Sequence, residues 1–388
     1  MEGTKYIYIF DLNEVLLDRY PAKISKSINT KYGSDNYEFV FLYSEDYRGG
    51  KPEQLPKNAQ VHFLPGLSKK SIQSIVDKFP PSCFVTIGLR LPDMLLMAIF
   101  NELNVPTFMV QHGLFVDHLQ RVALHKILVS KFKKVLKYLL YSKRIAKEIN
   151  QSYPIVLSEL FKYFIAGSKK LPELEQIKTE KLISKYALIF DISWEKYYTQ
   201  SYGYSMNQFS YIGNPDYELV KGHNAQNEEQ TILYICQTLV EDERYLKSDY
   251  LDFLRDFKAT FKNEKIYMKL HPRSDRALYN LFDDAPNVEI GDEYRNTDVV
   301  LGHYSSLLKI ARDAGKHVVI YDLKGHPAPN YYRRLVNQVY ENLTDAAQSV
   351  HTYRELGVQS SMNEDLRSYI DIEESAYLRA ATAIIELV

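Results

Sequence analysis

Five short stretches hold the side chains that could do chemistry in this chain. In KIYMKLHPRSD a strand over 266–270 delivers His271. Pro272 stiffens the exit turn and removes a backbone donor. Lys269, Arg273 and Arg276 put positive charge around it. A histidine fixed at such a place can donate a hydrogen bond or a proton to an anionic leaving group. The same His-Pro pair can equally be a purely structural turn. In DVVLGHYSSLLKIARDAG a strand over 298–301 runs through a tight loop to Ser305 and Ser306, where a helix of 306–314 starts and Gly315 ends it. Serine caps helices readily. Two hydroxyls beside the free N–H groups of a helix start also suit a phosphate.

PTFMVQHGLFVDH places Gln111, His112 and Gly113 after a strand over 107–110. Gly113 would let a ligand approach the backbone closely. His112 can serve as a base near neutral pH or only orient its loop. CQTLVEDERY follows another strand and presents Glu241 and Asp242, either as solvated surface or as a base for an acceptor hydroxyl. The opening stretch IFDLNEVLLD ends a first strand at Asp11 and Asn13. A dehalogenase-type phosphatase puts its nucleophile and acid at such positions, but Asn13 cannot supply a proton at neutral pH.

These residues need strands to hold them. YIYIF, FVFLY, FVTIG and TFMVQ alternate with the helix-like SKKSIQSIVDKF and LPDMLLMAIFNEL, the pattern of a parallel sheet covered by helices on both faces. A helical, aromatic-rich region spans 119–200, and Gly213, Asn214 and Pro215 punctuate the chain after it. The alternation then restarts with TILYICQ, a helix near 248–262, KIYMKL, VEIGD, DVVLG and KHVVIYDL. The expected class is α/β, with two Rossmann-like domains facing across a cleft that lies at the carboxyl ends of their strands. The expected boundaries are 1–213 (the acceptor side, with the basic helical region 119–200), 214–350 (the nucleotide side) and a helical segment 351–388. That last segment could pack on either domain.

Of the 388 residues, 45% are hydrophobic and 25% charged, which is ordinary for a globular protein. Formal net charge is −1, so no global field attracts nucleic acid. Cys83 and Cys236 lie far apart in apolar runs and read as buried thiols of a reducing compartment. No secretory leader or membrane-length apolar run is visible, which gives a cytoplasmic expectation. Charge is uneven, however. Between His118 and Lys147 there are nine Lys or Arg and no Asp or Glu, interleaved with apolar residues at helical spacing. Such a helix can lie on an anionic inner-membrane surface or simply pack with its basic face solvated.

A strand-end His-Pro followed by a Ser-Ser helix start resembles the bacterial sialyltransferases and polysialyltransferases of GT-B architecture, which share an acidic motif, an HP and an S/T-S pair. Here these are Glu241-Asp242-Glu243, His271-Pro272 and Ser305-Ser306, with Glu243 where that family has glycine. YICQTLVEDERY before HP is most similar to the lipooligosaccharide sialyltransferases of glycosyltransferase family 52. QHG at 111–113, HPR at 271–273 and HYSS at 303–306 also resemble the CDP-glycerol glycerophosphotransferases, with His303 in place of aspartate.

The first resemblance implies an inverting transfer of a sialic-acid-like or Kdo-type sugar from a CMP-activated donor to a bacterial surface glycan or glycolipid. Asp242 or Glu241 would be the base (His112 on the glycerophosphate reading). Lys269, Pro272, Arg273, Ser305 and Ser306 would hold the nucleotide phosphate, with His271 assisting its departure. Gln111, Gly113 and Asp11 would lie on the acceptor side. No metal and no cofactor is expected. A phosphatase and a non-catalytic membrane-surface binding protein are the remaining alternatives.

Overall fold

The computed structural model describes residues 4–45, 52, 54–113, 124–165, 171–218, 230–242, 244–336, 338–356 and 374–388. Contacts divide the chain into two compact units. The first comprises Met1–His112, Val129–Pro215 and Tyr369–Val388, and the second comprises Gly113–Leu128 and Asp216–Ser368.

Unit 1 is built on seven strands, β1 (Lys5–Phe10), β2 (Tyr37–Tyr43), β3 (Ala59–Phe63), β4 (Pro81–Ile87), β5 (Thr107–Val110), β6 (Tyr186–Ile189) and β7 (Phe209–Tyr211). They run parallel in the order β3-β2-β1-β4-β5-β6-β7. Most strand residues are apolar on both faces, as a sheet covered by helices requires. Ile7, Ile9, Phe39, Phe41, Cys83 and Val85 are almost wholly buried. The helices are α1 (Tyr20–Tyr32), α2 (Lys69–Val76), α3 (Leu91–Glu102), α4 (Leu124–Glu148, in this unit from Val129 on), α5 (Tyr153–Ile165) and α6 (Glu195–Tyr202).

Unit 2 carries β8 (Thr231–Ile235), β9 (Lys265–Lys269), β10 (Val288–Gly291), β11 (Val299–Gly302), β12 (His317–Tyr321) and β13 (Val339–Tyr340). They are also parallel, in the order β10-β9-β8-β11-β12-β13. Its helices are α7 (Lys247–Thr260), α8 (Ser306–Asp313), α9 (Asn330–Arg333) and α10 (Leu343–Leu356). Both sheets have the doubly wound order. The direction of winding reverses between β1 and β4 in unit 1 and between β8 and β11 in unit 2, and open α/β sheets bind ligands at the strand ends beside such reversals.

The final helix, α11 (Ala376–Glu386), belongs to unit 1. Ser375 caps it by accepting the Tyr377 N–H at 3.2 Å. Tyr377, Ala380, Ala381 and Ile384 recur at helical spacing and are buried with Tyr20, Ile24 and Ile28 of α1. Each fully buried aliphatic side chain of this seam contributes about 1.5–3 kcal/mol. Arg379 Nε donates to the Ile212 carbonyl at 2.8 Å, and its guanidinium lies where a Cβ on Gly213 would be. Gly213 sits at φ +78°, a conformation that favours glycine there.

Three features differ from the sequence expectation. The units divide at Pro215/Asp216 rather than 213/214, and Gly113–Leu128 goes with unit 2. The region 119–200 is not wholly helical: YALI forms β6, an apolar run too short to show a period and buried between β5 and β7. The segment 351–388 is divided, its start ending α10 in unit 2 and α11 completing unit 1. Among the described residues no helix is long and apolar enough to cross a membrane.

Candidate functional site

In unit 2 the sequence motifs gather at the carboxyl ends of three neighbouring strands, β9, β8 and β11. His271 leaves β9 in a turn closed by Ser274 N–H on the His271 carbonyl at 2.8 Å. The Arg273 N–H donates to His271 Nδ1 at 3.1 Å. With Nδ1 accepting, the ring proton resides on Nε2, which makes that nitrogen the donor.

The loop after β8 is tied to the same turn. Glu241 Oε1 accepts the Asp275 N–H at 2.7 Å, and Asp242 Oδ1 accepts from Arg273 Nη1 at 2.8 Å. Thr238 Oγ1 donates to Asp242 Oδ2 at 2.8 Å. Burial alone would raise the Asp242 pKa. The hydrogen bonds from Arg273 and Thr238, with the charges of Arg273 and Arg244, outweigh it and hold the carboxyl below its usual range. A carboxylate so held fastens the loops together and is a weakened base. Glu241 Oε2 is buried with no hydrogen-bond partner among the described residues. Glu243 lies outside them.

Ser305 is the N-cap of α8, its Oγ accepting the Leu307 N–H at 3.2 Å. Ser306 Oγ donates to Asp216 Oδ2 at 2.6 Å. Lys269 Nζ donates to the Asp292 carbonyl at 3.0 Å. Desolvation lowers the Lys269 pKa, and the charges of Asp292 and Asp216 partly oppose that. Asp216 is a member that the sequence does not single out, and nothing short of the folded strand ends could have joined it to Ser306 and Lys269. His303 is a core residue. Tyr321 OH lies 2.6 Å and Tyr234 OH 3.3 Å from Nε2, and the Tyr321 carbonyl lies 3.1 Å from Nδ1. Burial pushes its pKa down to about 3.

Unit 1 has its own constellation where β1 and β4 part. Asp11, 4% exposed, follows β1. Its Oδ1 accepts from the Leu12 N–H at 2.7 Å and from Arg90 Nη1 at 3.0 Å. Arg90 follows β4 and is gripped by Asp93 through Nε at 2.6 Å, Nη2 at 3.1 Å and its own backbone N–H at 2.7 Å. Asp93 is fully buried and also accepts from the Thr86 hydroxyl. Burial raises the Asp11 pKa to about 6 against the opposing effect of Arg90.

His112, at the end of β5, meets Tyr20 edge-on with ring centroids 5.3 Å apart. Much of its surface reaches solvent. Loss of hydration from the surrounding protein, then the cations Arg19 and Arg90, nevertheless lowers its pKa, so the neutral imidazole prevails. Gln111 is buried, and its Oε1 receives the Phe190 N–H at 2.9 Å, which joins β5 to the exit of β6. Gly113 turns the chain at φ +67°. Asn13 caps the next turn through Leu16 N–H at 3.2 Å.

The family model for Alpha-2,8-polysialyltransferase (POLYST) matches residues 90–292, more than half of the chain. The chain belongs to this polysialyltransferase family. The match begins at Arg90 and includes the β8 loop and the His271 turn. No curated protein sequence matches this polysialyltransferase-family chain. Solved structures share its fold. The wall teichoic acid polymerase TagF aligns at TM-score 0.53 and 13% identity, over 99% of this chain and 87% of that one. CalG4, the calicheamicin glycosyltransferase, aligns at 0.53 and 14%, over 100% and 98%. The UDP-GlcNAc 2-epimerase of Methanocaldococcus jannaschii aligns at 0.52 and 10%, over 99% and 100%. Family and fold together make this a GT-B glycosyltransferase.

Proposed function

We propose that this glycosyltransferase moves a sialic-acid-like sugar, nonulosonic or Kdo-type, from a CMP-activated donor to a bacterial surface glycan, with inversion. The observation that carries the reading is the hydrogen bond from Arg273 N–H to His271 Nδ1, which makes Nε2 the donor nitrogen of the ring at the end of β9. Release of CMP places new negative charge on a phosphate oxygen, and a fixed donor lowers the barrier to that. Lys269, Arg273 and the Ser305-Ser306 start of α8 supply further positive or donor groups on neighbouring strand ends. The reading invokes no metal. Asp242, Glu241 and His112 are the base candidates the motifs supply.

Calorimetric titration with CMP, CDP, UMP, UDP and GDP tests this. Selective binding of CMP, lost in His271→Ala, is expected. Preference for a uridine or guanosine nucleotide would overturn the reading. A CDP-glycerol donor is the second reading, supported by QHG, HPR and YSS at strand ends in a chain whose fold TagF shares. Against it stands His303, buried and neutral where that motif has a carboxylate.

We also propose that α4 seats the enzyme on an anionic membrane surface. Leu136, Leu139 and Leu140 are 49%, 37% and 44% exposed, at helical spacing and beside the exposed Lys137, Lys143 and Lys147. Lys137 is shared with Glu45 at 2.5 Å. Arg121 lies outside the described residues. Salt-sensitive binding to vesicles containing phosphatidylserine, lost in Leu136→Ser/Leu140→Ser with Lys143→Ala/Lys147→Ala, is expected. Unchanged binding would remove this role.

A further inference from the structure

Asp11 is the only carboxylate bonded across the point where the first sheet reverses direction, among the described residues. Its Oδ1 is fixed twice, by the Leu12 N–H and by Arg90. Its Oδ2 takes no hydrogen bond among the described residues, yet it is not sealed from solvent. At the exit of β4, a Cβ placed on Gly88 would meet nothing within 4 Å among the described residues, although Gly88 is itself buried. Behind Asp11 runs a chain of fixed groups, Arg90 held by the buried Asp93, and Asp93 held by Thr86. Three donors of Arg90 are thereby committed, so the guanidinium cannot swing away from Asp11 without breaking bonds to a fully buried carboxylate.

We infer that Asp11 is the general base of the transfer, receiving the acceptor hydroxyl proton on Oδ2, and that Arg90, Asp93 and Thr86 position it. The inference rests on the glycosyltransferase reading above and replaces the carboxylates of the β8 loop in that role, because Asp242 is consumed by Arg273 and Thr238, and Glu241 is tied through Oε1 to the Asp275 N–H with Oε2 buried. In the step, the acceptor O–H bond breaks and its proton passes to Asp11. The acceptor oxygen bonds to the anomeric carbon as the bond from that carbon to the phosphate oxygen breaks. The electron pair leaves on CMP. No oxidant or additional reactant is needed.

A base must stay ionised near neutral pH while retaining proton affinity. Burial raises Asp11 toward that range to about 6, Arg90 restrains the rise, and Asp93 adds to it. His112 titrates beside the same arginine and beside Arg19, with its own pKa lowered, so its titration falls on the acid side of its ordinary value.

The test is steady-state transfer from a CMP-sugar across pH, with CMP binding measured on every variant. Asp11→Asn is expected to lower kcat by about 10²–10⁴-fold with CMP affinity unchanged. Arg90→Met should move the acid limb of the wild-type kcat/KM profile to higher pH, and Arg90→Lys should move it back. Should Asp11→Asn fail to fold, the Arg90 pair and Asp11→Glu still report the limb. A wild type that transfers normally while Asp11→Asn keeps more than about a tenth of kcat overturns the inference alone. An acid limb indifferent to Arg90→Met also overturns it. A wild type that neither binds CMP nor transfers from a CMP-sugar overturns the underlying reading, and the inference falls with it.

Discussion

The backbone N–H of Arg273 reaches the ring nitrogen Nδ1 of His271 at 3.1 Å, across only two residues of chain. The turn itself thereby selects the imidazole tautomer, and the donor is Nε2–H. His271→Gln places an amide N–H near the Nε2 position, whereas His271→Asn places it near Nδ1. Steady-state rates should therefore fall by about 10²–10⁴-fold in His271→Ala and His271→Asn and clearly less in His271→Gln. Equal losses in Gln and Asn variants would show that the ring acts through Nδ1 or through its shape.

Asp242 gives a contrasting expectation. Its carboxylate is bonded to Arg273 and Thr238, and its proton affinity is lowered. Asp242→Asn should keep kcat within about tenfold of wild type and raise KM for the donor, as loss of loop positioning does. Abolished turnover with an unchanged KM would restore Asp242 as the base.

Asp11 should be costly to the fold. Its folded-state pKa is raised to about 6, so its contribution to stability is fully present below the unfolded value of about 4 and is lost as pH rises through 6. Asp11→Asn, neutral at all these values, should raise the unfolding midpoint at pH 8 by the equivalent of roughly 1–3 kcal/mol, and the difference should vanish below pH 4. Thermal scans of the two proteins at several pH values measure it. A variant less stable than wild type at pH 8 would mean that the lost partner of Arg90 outweighs the relief of a buried charge.

His303 acts with the opposite sign. Burial holds its folded pKa at about 3, below an ordinary value of about 6.5, so its share of stability is present above 6.5 and lost as pH falls from there toward 3. The loss across that window is on the order of 3–5 kcal/mol. His303→Gln should flatten the acid side of the stability profile measured by denaturant titration. An unchanged slope would place the acid-sensitive group elsewhere.

The strands that carry the motifs were legible because a buried parallel strand reads as a short apolar run bounded by turn residues. TILYI, KIYMK and VVLG all do so. Neighbour relations were not legible. That β8 lies between β9 and β11, which puts Glu241, His271 and Ser305 on adjacent strand ends, follows from sheet order, and spacing along the chain does not encode it. Arg90 and Asp93 escaped for a related reason. LRLPDM reads as an ordinary helix start, with proline and then aspartate in the first turn. Only the parallel pairing of β1 with β4 brings Asp11 to that start. Asp242 shows the converse: adjacent carboxylates attract a catalytic reading, and a distant arginine changes it.

The seam between α1 and α11 has a bearing on how the chain is made. Lys31 Nζ bonds Thr382 Oγ1 at 2.7 Å, two residues 351 positions apart in the sequence. Ribosomes add about 5–20 residues per second, so the apolar stripe of α1 waits on the order of twenty seconds to a minute for its helical partner to emerge. During that interval the whole of the second sheet is synthesised, since β8 to β13 lie between the two helices in the chain.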